Sequence, residues 1–338
     1  MTTRPYGLLR CGFPFDKTLG MRRLTNYPID VALGDENRLY VLCRADNASL
    51  VRRYNYADED LGQFGSVGKD EGQFMWPVSI ITDSDENIYI SDEYLNRITV
   101  FDKDGQFVKC WGESGSEPGQ LDRACGIAFD SEENVYVSDS MNHRVQKFSK
   151  DGEFITAFGE FGSGKGQLNM PWGIDVDDED AVYVADWRND RVQVFSTDGE
   201  FITKFGGSGC GDGEFNRPTD VAVDDDGDIY VADWGNDRVQ LFNSETRYVQ
   251  KFLGDATLSQ VARDYMLTNA MPNRLRDMSN IEQQKYLRRP KSVTVSGDGR
   301  LYISDNLSYR VQVYRKEVIH LTPEQYGPPM RSPTLNQE

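Results

Sequence analysis

One segment of the chain occurs twice in nearly identical form. YVADWRNDRVQVF, from Tyr183 to Phe195, returns as YVADWGNDRVQLF, from Tyr230 to Phe242. Weaker copies begin at four further tyrosines, Tyr40, Tyr89, Tyr136 and Tyr302. Repetition over tens of residues is typical of folds in which copies of one supersecondary unit stack against each other. The chain is therefore predicted to be a repeat protein.

A landmark residue, usually proline, stands about a dozen residues before each copy. The six landmarks are Pro28, Pro77, Ala124, Pro171, Pro218 and Pro290. Neighbouring landmarks are 47 to 49 residues apart, except for a gap of 72 residues before the last one. The repeat unit is therefore about 47 residues long, and it occurs six times.

Within each unit, apolar and polar residues alternate with a period of two, which is the pattern of β-strands. Asp-Gly pairs between such runs, as at Asp104-Gly105 and Asp151-Gly152, indicate hairpin turns. Four short antiparallel strands in about 47 residues form one propeller blade. Because no blade can bury its apolar faces alone, the six units predict an all-β, six-bladed β-propeller.

The order of motifs within a unit resembles that of the NHL-repeat family. It runs from proline through a short strand, an Asp-rich turn, YVAD, Asn, RVQVF and Asp-Gly to a Gly-rich loop that ends in Gly-Gln-Phe. The resemblance covers residues 8–314 and implies a propeller of NHL repeats. It implies no single activity, because this family includes enzymes, RNA-binding proteins and scaffolds.

A ring of blades must close, and the N-terminus is predicted to close it. LLRCGF, from Leu8 to Phe13, resembles FVKCWG, from Phe107 to Gly112, which is a predicted fourth strand. The alternative closing segment is Glu317 to Leu321, which directly follows the last predicted third strand. The predicted division is a ring-closing N-terminal segment at 1–26, blades one to five at 27–254, a helical insertion at 255–289, blade six at 290–325 and a disordered tail at 326–338.

The 72-residue gap contains about 25 residues more than the other gaps. Leu258, Val261, Ala262, Tyr265 and Met266 follow helical spacing there, and a second helical stretch is predicted at about 279–287. The insertion joins a fourth strand to the next first strand, so it begins and ends on one face of the ring. We expect a lid over the channel mouth, and the alternative is an ornament packed on the rim.

Composition limits the classes of partner. The formal net charge is −18, with 55 acidic against 37 basic residues, and no basic stripe is visible, so nucleic-acid binding is not expected. No apolar run suggests a signal peptide or a membrane span. The five cysteines are odd in number and scattered, which favours reduced thiols in a cytoplasmic protein.

Several kinds of catalytic site are not expected. With His143 and His320 as its two histidines, the chain cannot build the multi-histidine zinc site that the resemblance implies for amidating lyases. The aspartates that precede each RVQ-type strand, such as Asp186, recur in every regular blade, which favours a structural role. The acidic run from Asp224 to Asp228 is interpreted as a hairpin turn, because an EF-hand loop needs a distal bidentate glutamate.

The loops that differ between blades place aromatic and basic residues on one face. The first strand of each blade lines the channel, so these loops surround one channel mouth. The predicted ligand-binding residues are Tyr27, Trp76, Arg123, Trp172, Trp187, Arg217, Trp234, Arg289 and Lys291. Such a set suits a small anion with an apolar or aromatic part. Alternatively, the tryptophans seal the seams between blades and the arginines pair with nearby acids.

Three functions follow from this reading. The first is binding of a small anionic ligand or a protein partner at the channel mouth. The alternative is a cytoplasmic hydrolase, lactonase or lyase in the same pocket, with a divalent cation between Asp30 and Asp220. The third is a scaffold for protein interactions. The motifs assign no catalytic residue.

Overall fold

The computed structural model describes residues 11–22, 24–45, 48–269 and 280–318. Six four-stranded antiparallel sheets form the blades of a β-propeller, as the repeats predicted. Two short strands, β1 (Cys11–Gly12) and β2 (Phe15–Leu19), precede the first blade. Neither helix in the described residues is long and apolar enough to cross a membrane.

The first three blades follow in chain order. Blade one contains β3 (Pro28–Leu33), β4 (Arg38–Ala45), β5 (Ala48–Asn55) and β6 (Asp60–Phe64). A small parallel pair, β7 (Ser66–Val67) and β8 (Gln73–Phe74), leads to blade two, which contains β9 (Pro77–Thr82), β10 (Ile88–Asp92), β11 (Arg97–Phe101) and β12 (Phe107–Trp111). A similar pair, β13 (Glu113–Ser114) and β14 (Gln120–Leu121), leads to blade three, with β15 (Ala124–Phe129), β16 (Val135–Asp139), β17 (Arg144–Phe148) and β18 (Phe154–Phe158).

The last three blades complete the ring. Blade four contains β19 (Pro171–Val176), β20 (Val182–Asp186), β21 (Arg191–Phe195) and β22 (Phe201–Gly206). Blade five contains β23 (Pro218–Val223), β24 (Ile229–Asp233), β25 (Arg238–Phe242) and β26 (Tyr248–Phe252). Blade six contains β27 (Pro290–Val295), β28 (Arg300–Asp305) and β29 (Arg310–Arg315), and it is followed by β30 (Glu317–Val318). Single 3-10 turns lie at Asp35–Asn37, Trp187–Asn189, Trp234–Asn236 and Asn306–Ser308.

The outer strand of blade six comes from the N-terminal part of the chain. Strand β2 pairs antiparallel with β29, with Leu19 opposite Val311. The predicted position of this strand, Leu8 to Phe13, is wrong: the closing strand is Phe15–Leu19, and its Leu19 is buried. Cys11–Gly12 instead pairs with Glu317–Val318, so part of the alternative segment adds a second, smaller pairing beside the closing strand. Residues 319–321 lie outside the described part of the chain.

The core lies between the blades and not within them. Each of the six clusters of buried apolar residues combines side chains of two neighbouring blades. Between blades one and two, for example, Tyr40 and Phe64 pack with Phe74 and Phe101. Removal of this apolar surface from water is the main favourable contribution to folding, so the blades stabilise each other around the ring.

The recurring aspartate has the structural role that its repetition indicated. Asp186 Oδ2 accepts hydrogen bonds from Asn189 Nδ2 and Arg191 Nε, each at 2.8 Å, and Oδ1 accepts one from the Asn169 N–H at 2.7 Å. Arg191 in turn donates to backbone carbonyls of the preceding loop, including that of Gln167 at 2.7 Å. The same contacts recur around Asp233. These aspartates therefore fix loop geometry and are not free for catalysis.

The insertion contains helices α1 (Gln260–Thr268) and α2 (Ile281–Lys285). Ser259 caps α1, because its hydroxyl accepts a hydrogen bond from the Ala262 N–H at 3.1 Å. The first turn of α1 contacts Asp58, which lies in a hairpin of blade one, and the helix also packs near β2. The described part of the insertion therefore lies against the ring-closure seam. Residues 270–279, which include part of the predicted lid, are outside the described residues.

Candidate functional site

The loops at one end of the channel enclose a cavity of about 170 Å³, which we call the mouth cavity. Residues from several blades line it, among them Tyr27, Asp30, Arg44, Trp172, Asp220 and Lys291. No described residue of the insertion between 255 and 285 is part of this lining. The described part of the insertion thus gives the predicted lid no support.

A second chamber of about 310 Å³ occupies the other half of the channel. The first strands of the blades line it, and Asp175 in β19 is among its residues. Asp30 and Asp220 line both chambers, so their carboxyl groups mark the level at which the two chambers meet. A methyl group on Gly173 would approach Asp220 Oδ1 to 2.3 Å, so glycine at this position allows the neighbouring strands to approach each other.

Lys291 is a cation in the mouth cavity without an ionic partner among the described residues. Its Nζ lies 5.6 Å from the ring centre of Trp172 and 5.2 Å from that of Trp234. Within the described ranges, no hydrogen bond or salt bridge from this ammonium is found. Burial, together with the nearby positive charge of Arg44, lowers the pKa of Lys291 to about 8, although Glu93 acts in the opposite direction.

Lys291 belongs to a continuous stack of cations and indoles across the mouth. Arg217 lies 5.1 Å from the ring centre of Trp187, and the ring centres of Trp187 and Trp172 are 5.7 Å apart. On the other side of Lys291, the guanidinium of Arg289 lies 4.2 Å from the ring centre of Trp234. Cation–π attraction and ring stacking hold these side chains in one row.

The opposite side of the mouth is held by an ion pair. Arg44 Nη1 donates to Glu93 Oε1 at 2.8 Å, and its guanidinium lies 5.5 Å from the ring centre of Trp76. Trp76 is 45% exposed and packs edge-on against Tyr94 with ring centres 5.6 Å apart. This pair of aromatic residues therefore forms the outer edge of the mouth rather than its wall.

Three of the nine predicted ligand-binding residues line the mouth cavity: Tyr27, Trp172 and Lys291. The other six lie outside this lining, and their role in ligand binding stays a prediction: Trp76, Arg123, Trp187, Arg217, Trp234 and Arg289. All of these six except Arg123 contact aromatic or basic side chains of the cation–indole row or of the outer edge described above. Arg44 was not among the predicted ligand-binding residues, although it stands where blades four and five have Trp187 and Trp234, directly after Cys43 at the aspartate position.

Three aspartates of the channel have raised pKa values. Burial raises the pKa of Asp30 to about 6 and that of Asp175 to about 7. Burial, together with the negative charges of Asp30 and Asp175, raises the pKa of Asp220 well above its usual value. Asp175 lies within strand β19 and faces the channel.

These aspartates also connect neighbouring blades. Asp30 accepts hydrogen bonds from the backbone N–H of Ile80, at 2.8 Å, and from the hydroxyl of Ser79, at 2.9 Å. Asp175 accepts one from the Val223 N–H at 2.8 Å, and Asp220 one from the Val293 N–H at 3.0 Å. Each carboxyl group therefore binds the first strand of the next blade.

A different group of aspartates has the spacing of metal ligands, but a lysine lies between them. Among them, the one group of three or more side chains with ligand atoms close enough to share an ion is Asp224, Asp226 and Asp228. Lys316 Nζ lies 2.6 to 2.8 Å from a carboxylate oxygen of each. This ammonium takes the place that a cation would occupy, so the hairpin is satisfied without a metal.

The histidine in the described residues is part of a loop. His143 Nδ1 accepts a hydrogen bond from the Met170 N–H at 3.1 Å, and its ring lies 4.8 Å from that of Phe161. Burial lowers the pKa of His143. The side chain thus has a structural role, as expected for its position in the repeat.

Comparison with solved structures places the fold among known propellers. A streptogramin B lyase superposes with a TM-score of 0.57 at 11% identity, over 90% of this chain and 98% of the lyase. Virginiamycin B lyase from Staphylococcus aureus gives 0.55 at 12% identity, over 91% and 100%. A structural genomics protein from Bacteroides thetaiotaomicron gives 0.61 at 18% identity, over 91% and 72%. At such low identities the similarity concerns the fold alone.

Comparison with protein families gives two matches. Residues 118–206 match the model of the SMP-30/Gluconolactonase/LRE-like region. A search of curated proteins found no match. Residues 74–156 and 173–270, which together make up more than half of the chain, match a family model described as a 6-bladed beta-propeller. The chain therefore belongs to this family of six-bladed β-propellers.

Proposed function

We propose that the protein binds a small anionic ligand with an apolar or aromatic part in the mouth cavity. The observation that carries this proposal is Lys291, whose ammonium lies in the cavity without an ionic partner among the described residues. A charge removed from water without a counter-charge is unfavourable, and an anionic ligand would supply that counter-charge.

The surroundings of Lys291 support a ligand that is flat as well as charged. The indole of Trp172 lines the same cavity and offers a face for stacking. Arg44 also lines the cavity. A guanidinium has five N–H donors, and Glu93 accepts a hydrogen bond from Nη1 of Arg44, which leaves donors for a ligand. A charge-assisted hydrogen bond contributes about 1.5–3 kcal/mol, which suffices to orient a small carboxylate or phosphate.

A thermal-shift screen of small carboxylates and phosphates tests this proposal. We expect at least one aromatic carboxylate to raise the melting temperature and to quench tryptophan fluorescence. Lys291→Met should abolish the stabilisation, whereas Lys204→Met, at an exposed position of an outer strand, should leave it intact. If no anion stabilises the parent protein, or if both variants respond equally, the mouth cavity is not an anion site.

A second candidate is a hydrolase, lactonase or lyase that acts in the same cavity. It is favoured by the match to the SMP-30/Gluconolactonase/LRE-like region and by Asp30 and Asp220. Burial raises the pKa of both carboxyl groups, that of Asp30 to about 6, and a raised pKa is typical of groups that transfer protons. A divalent cation between these two carboxylates belongs to this candidate. Lactone hydrolysis that requires added metal, and that is lost in Asp220→Asn, would support it. Absence of turnover on a panel of lactones with Mg²⁺, Ca²⁺, Mn²⁺ and Zn²⁺ would count against it.

The repeat type, the thiols and the exposed rim each support one further proposal. The motif order supports assignment of the blades to the NHL type, and the unpaired thiols of Cys43, Cys110, Cys125 and Cys210 support a cytoplasmic location. The exposed pair Trp76 and Tyr94 supports a protein partner or a scaffold role at the rim. If Tyr94→Ala no longer captures a protein partner but still binds the small ligand, the rim is the protein-binding surface and the cavity is the ligand site.

A further inference from the structure

Lys291 is a primary amine held against two aromatic faces. The indoles of Trp172 and Trp234 attract its ammonium but replace only part of the hydration that it loses. Among the residues that the structure describes, no carboxylate forms a salt bridge with it. The neutral amine is therefore more accessible at this position than in a lysine exposed to water.

The charges around Lys291 act on its ammonium in both directions, and burial lowers its pKa further. Arg44 and Arg289 disfavour a further positive charge, whereas Glu93 and the thiol of Cys125 favour it. Together with burial, they leave the pKa of Lys291 at about 8. At pH 7 roughly a tenth of the side chains would be neutral, and a neutral lysine amine is a nucleophile.

We propose that Lys291 forms an imine with the carbonyl carbon of a 2-oxo acid bound in the mouth cavity. This inference rests on the proposed function, because the same ligand supplies both the anionic group and the carbonyl. The protonated imine keeps the positive charge next to the ligand carboxylate, so the cavity remains neutralised after the bond has formed. An apolar or aromatic substituent of the 2-oxo acid would stack on Trp172, which lines the same cavity.

The reaction is a reversible condensation. The lone pair of the neutral Lys291 Nζ attacks the carbonyl carbon, and the C=O π electrons move to the oxygen, which takes up a proton from water. The nitrogen releases a proton to water, which gives a neutral carbinolamine. Loss of the hydroxyl group, with one further proton, as water then yields the C=N bond. Uptake of one proton from the solvent by the imine nitrogen gives the protonated imine. The balance is one amine, one ketone and one proton to one protonated imine and one water, without any oxidant or reductant.

Reductive trapping tests the proposal. The full chain is incubated with phenylpyruvate and sodium cyanoborohydride, and the modified residue is located by peptide mass spectrometry. Phenyllactate, which has the same carboxylate and ring but no carbonyl, is the matched ligand control. We expect one label on Lys291, and we expect the labelling rate to rise about fivefold from pH 7 to pH 8 as the amine loses its proton.

Two variants separate the covalent step from binding. Lys291→Arg keeps the charge but cannot form an imine, so it should bind phenyllactate and lose at least about tenfold in labelling. Lys251→Arg, at an exposed position of β26, should label as the parent does. Circular dichroism and the melting curve confirm that each variant is folded, and site mapping in the parent protein is valid even if Lys291→Arg unfolds.

The outcomes are distinguishable. Label spread over surface lysines, or equal labelling of the parent and Lys291→Arg, would overturn the imine. Stabilisation of the parent by phenyllactate and phenylpyruvate without a label on Lys291 would also overturn it, while anion binding would stand. If neither compound binds, both the imine and the binding of aromatic carboxylates at this site are wrong.

Discussion

Asp58 accepts a hydrogen bond from the backbone N–H of Val261 at 2.9 Å, although 203 residues separate the two in the chain. The other oxygen of the same carboxylate accepts one from the Gly20 N–H at 2.7 Å. Gly20 directly follows the closing strand, and Val261 lies in the first turn of α1. One buried side chain therefore connects blade one, the closing strand and the insertion.

Replacement of Asp58 should destabilise the whole ring. The equivalent hairpin position is glycine in blades two to four, and Asp58 has the same positive φ, at 68°. Asp58→Gly therefore keeps the backbone unstrained but leaves two N–H groups without their acceptor, at a cost of about 1–3 kcal/mol. A denaturant melt measures the change. Asp198→Ala, in an exposed hairpin turn, is the control, and an equal effect of the two substitutions would contradict the role of Asp58.

The closing strand should contribute through its buried leucine. Leu19 is 1% exposed and packs in the cluster between blades six and one, so Leu19→Ala should lower the unfolding free energy by about 2–4 kcal/mol. Leu61→Ala, at a position that is 43% exposed in the outer strand of blade one, should have little effect. If the ring is as stable in Leu19→Ala as in the parent, this strand does not hold the last blade.

The channel aspartates should make stability depend on pH. In the folded protein the pKa of Asp175 is about 7, against 3.8 in an unfolded chain, so the folded state retains the proton over this range. The unfolding free energy should therefore fall as the pH rises from 3.8 to about 7. Asp175→Asn should match the parent near pH 4 and exceed it by up to about 4 kcal/mol near pH 8.

The control for this pH dependence is Asp178→Asn, since Asp178 is exposed in the adjoining turn. Its melting temperature should follow that of the parent at every pH. A parent protein that gains stability between pH 4 and pH 7 relative to Asp175→Asn would show that ionised Asp175 is favoured in the channel, contrary to this account.

Removal of Lys316 should expose the acidic hairpin of blade five. The Lys316 side chain is almost fully buried between the carboxylates of Asp224, Asp226 and Asp228. Lys316→Met leaves these charges uncompensated, so we expect a loss of about 2–4 kcal/mol near neutral pH and a smaller loss in acid. Millimolar Ca²⁺ should restore part of the stability of the variant and leave the parent unchanged.

Lys251→Met provides the comparison, because the Lys251–Asp212 pair lies at the surface. This substitution should hardly alter the melting temperature, with or without Ca²⁺. Equal responses of the two lysine variants to Ca²⁺ would mean that the ion acts on the overall acidity of the protein and not on the hairpin.

The ring of blades was predictable because the sequence pattern within each unit of about 47 residues determines one blade. The alternation of apolar residues recurs in all six units and the Asp186-type motif in five of them, so the fold of one unit predicts that of the others. The closing strand was placed too early because Leu8–Phe13 imitates a fourth strand by composition. The true strand, Phe15–Leu19, places Asp16 and Lys17 between its apolar residues, and its partner β29 is almost 300 residues away.

The face that contains the mouth cavity was predictable from the sequence, but the individual side chains that line the cavity were not. Loop position placed Trp172 and Lys291 correctly at the cavity, because the first strand always lines the channel. The same argument could not tell them from Arg217 and Arg289, which stack on indoles at the rim. Asp175 was missed because an acidic turn follows it directly. Asp175 lies four residues after the landmark Pro171, and three other blades have alanine at this position in their first strand. This register was the signal that could have placed Asp175 in the channel.

The pairing of β2 with β29 has a consequence for biosynthesis. Translation produces Phe15–Leu19 before the first blade, whereas its partner Arg310–Arg315 follows the first five blades. Until the last blade has been made, the early strand has no partner and the first blade keeps an apolar side open to water. The nascent chain is therefore exposed to aggregation until Arg310–Arg315 has been made, and a chaperone that covers the first blade would protect it during this time.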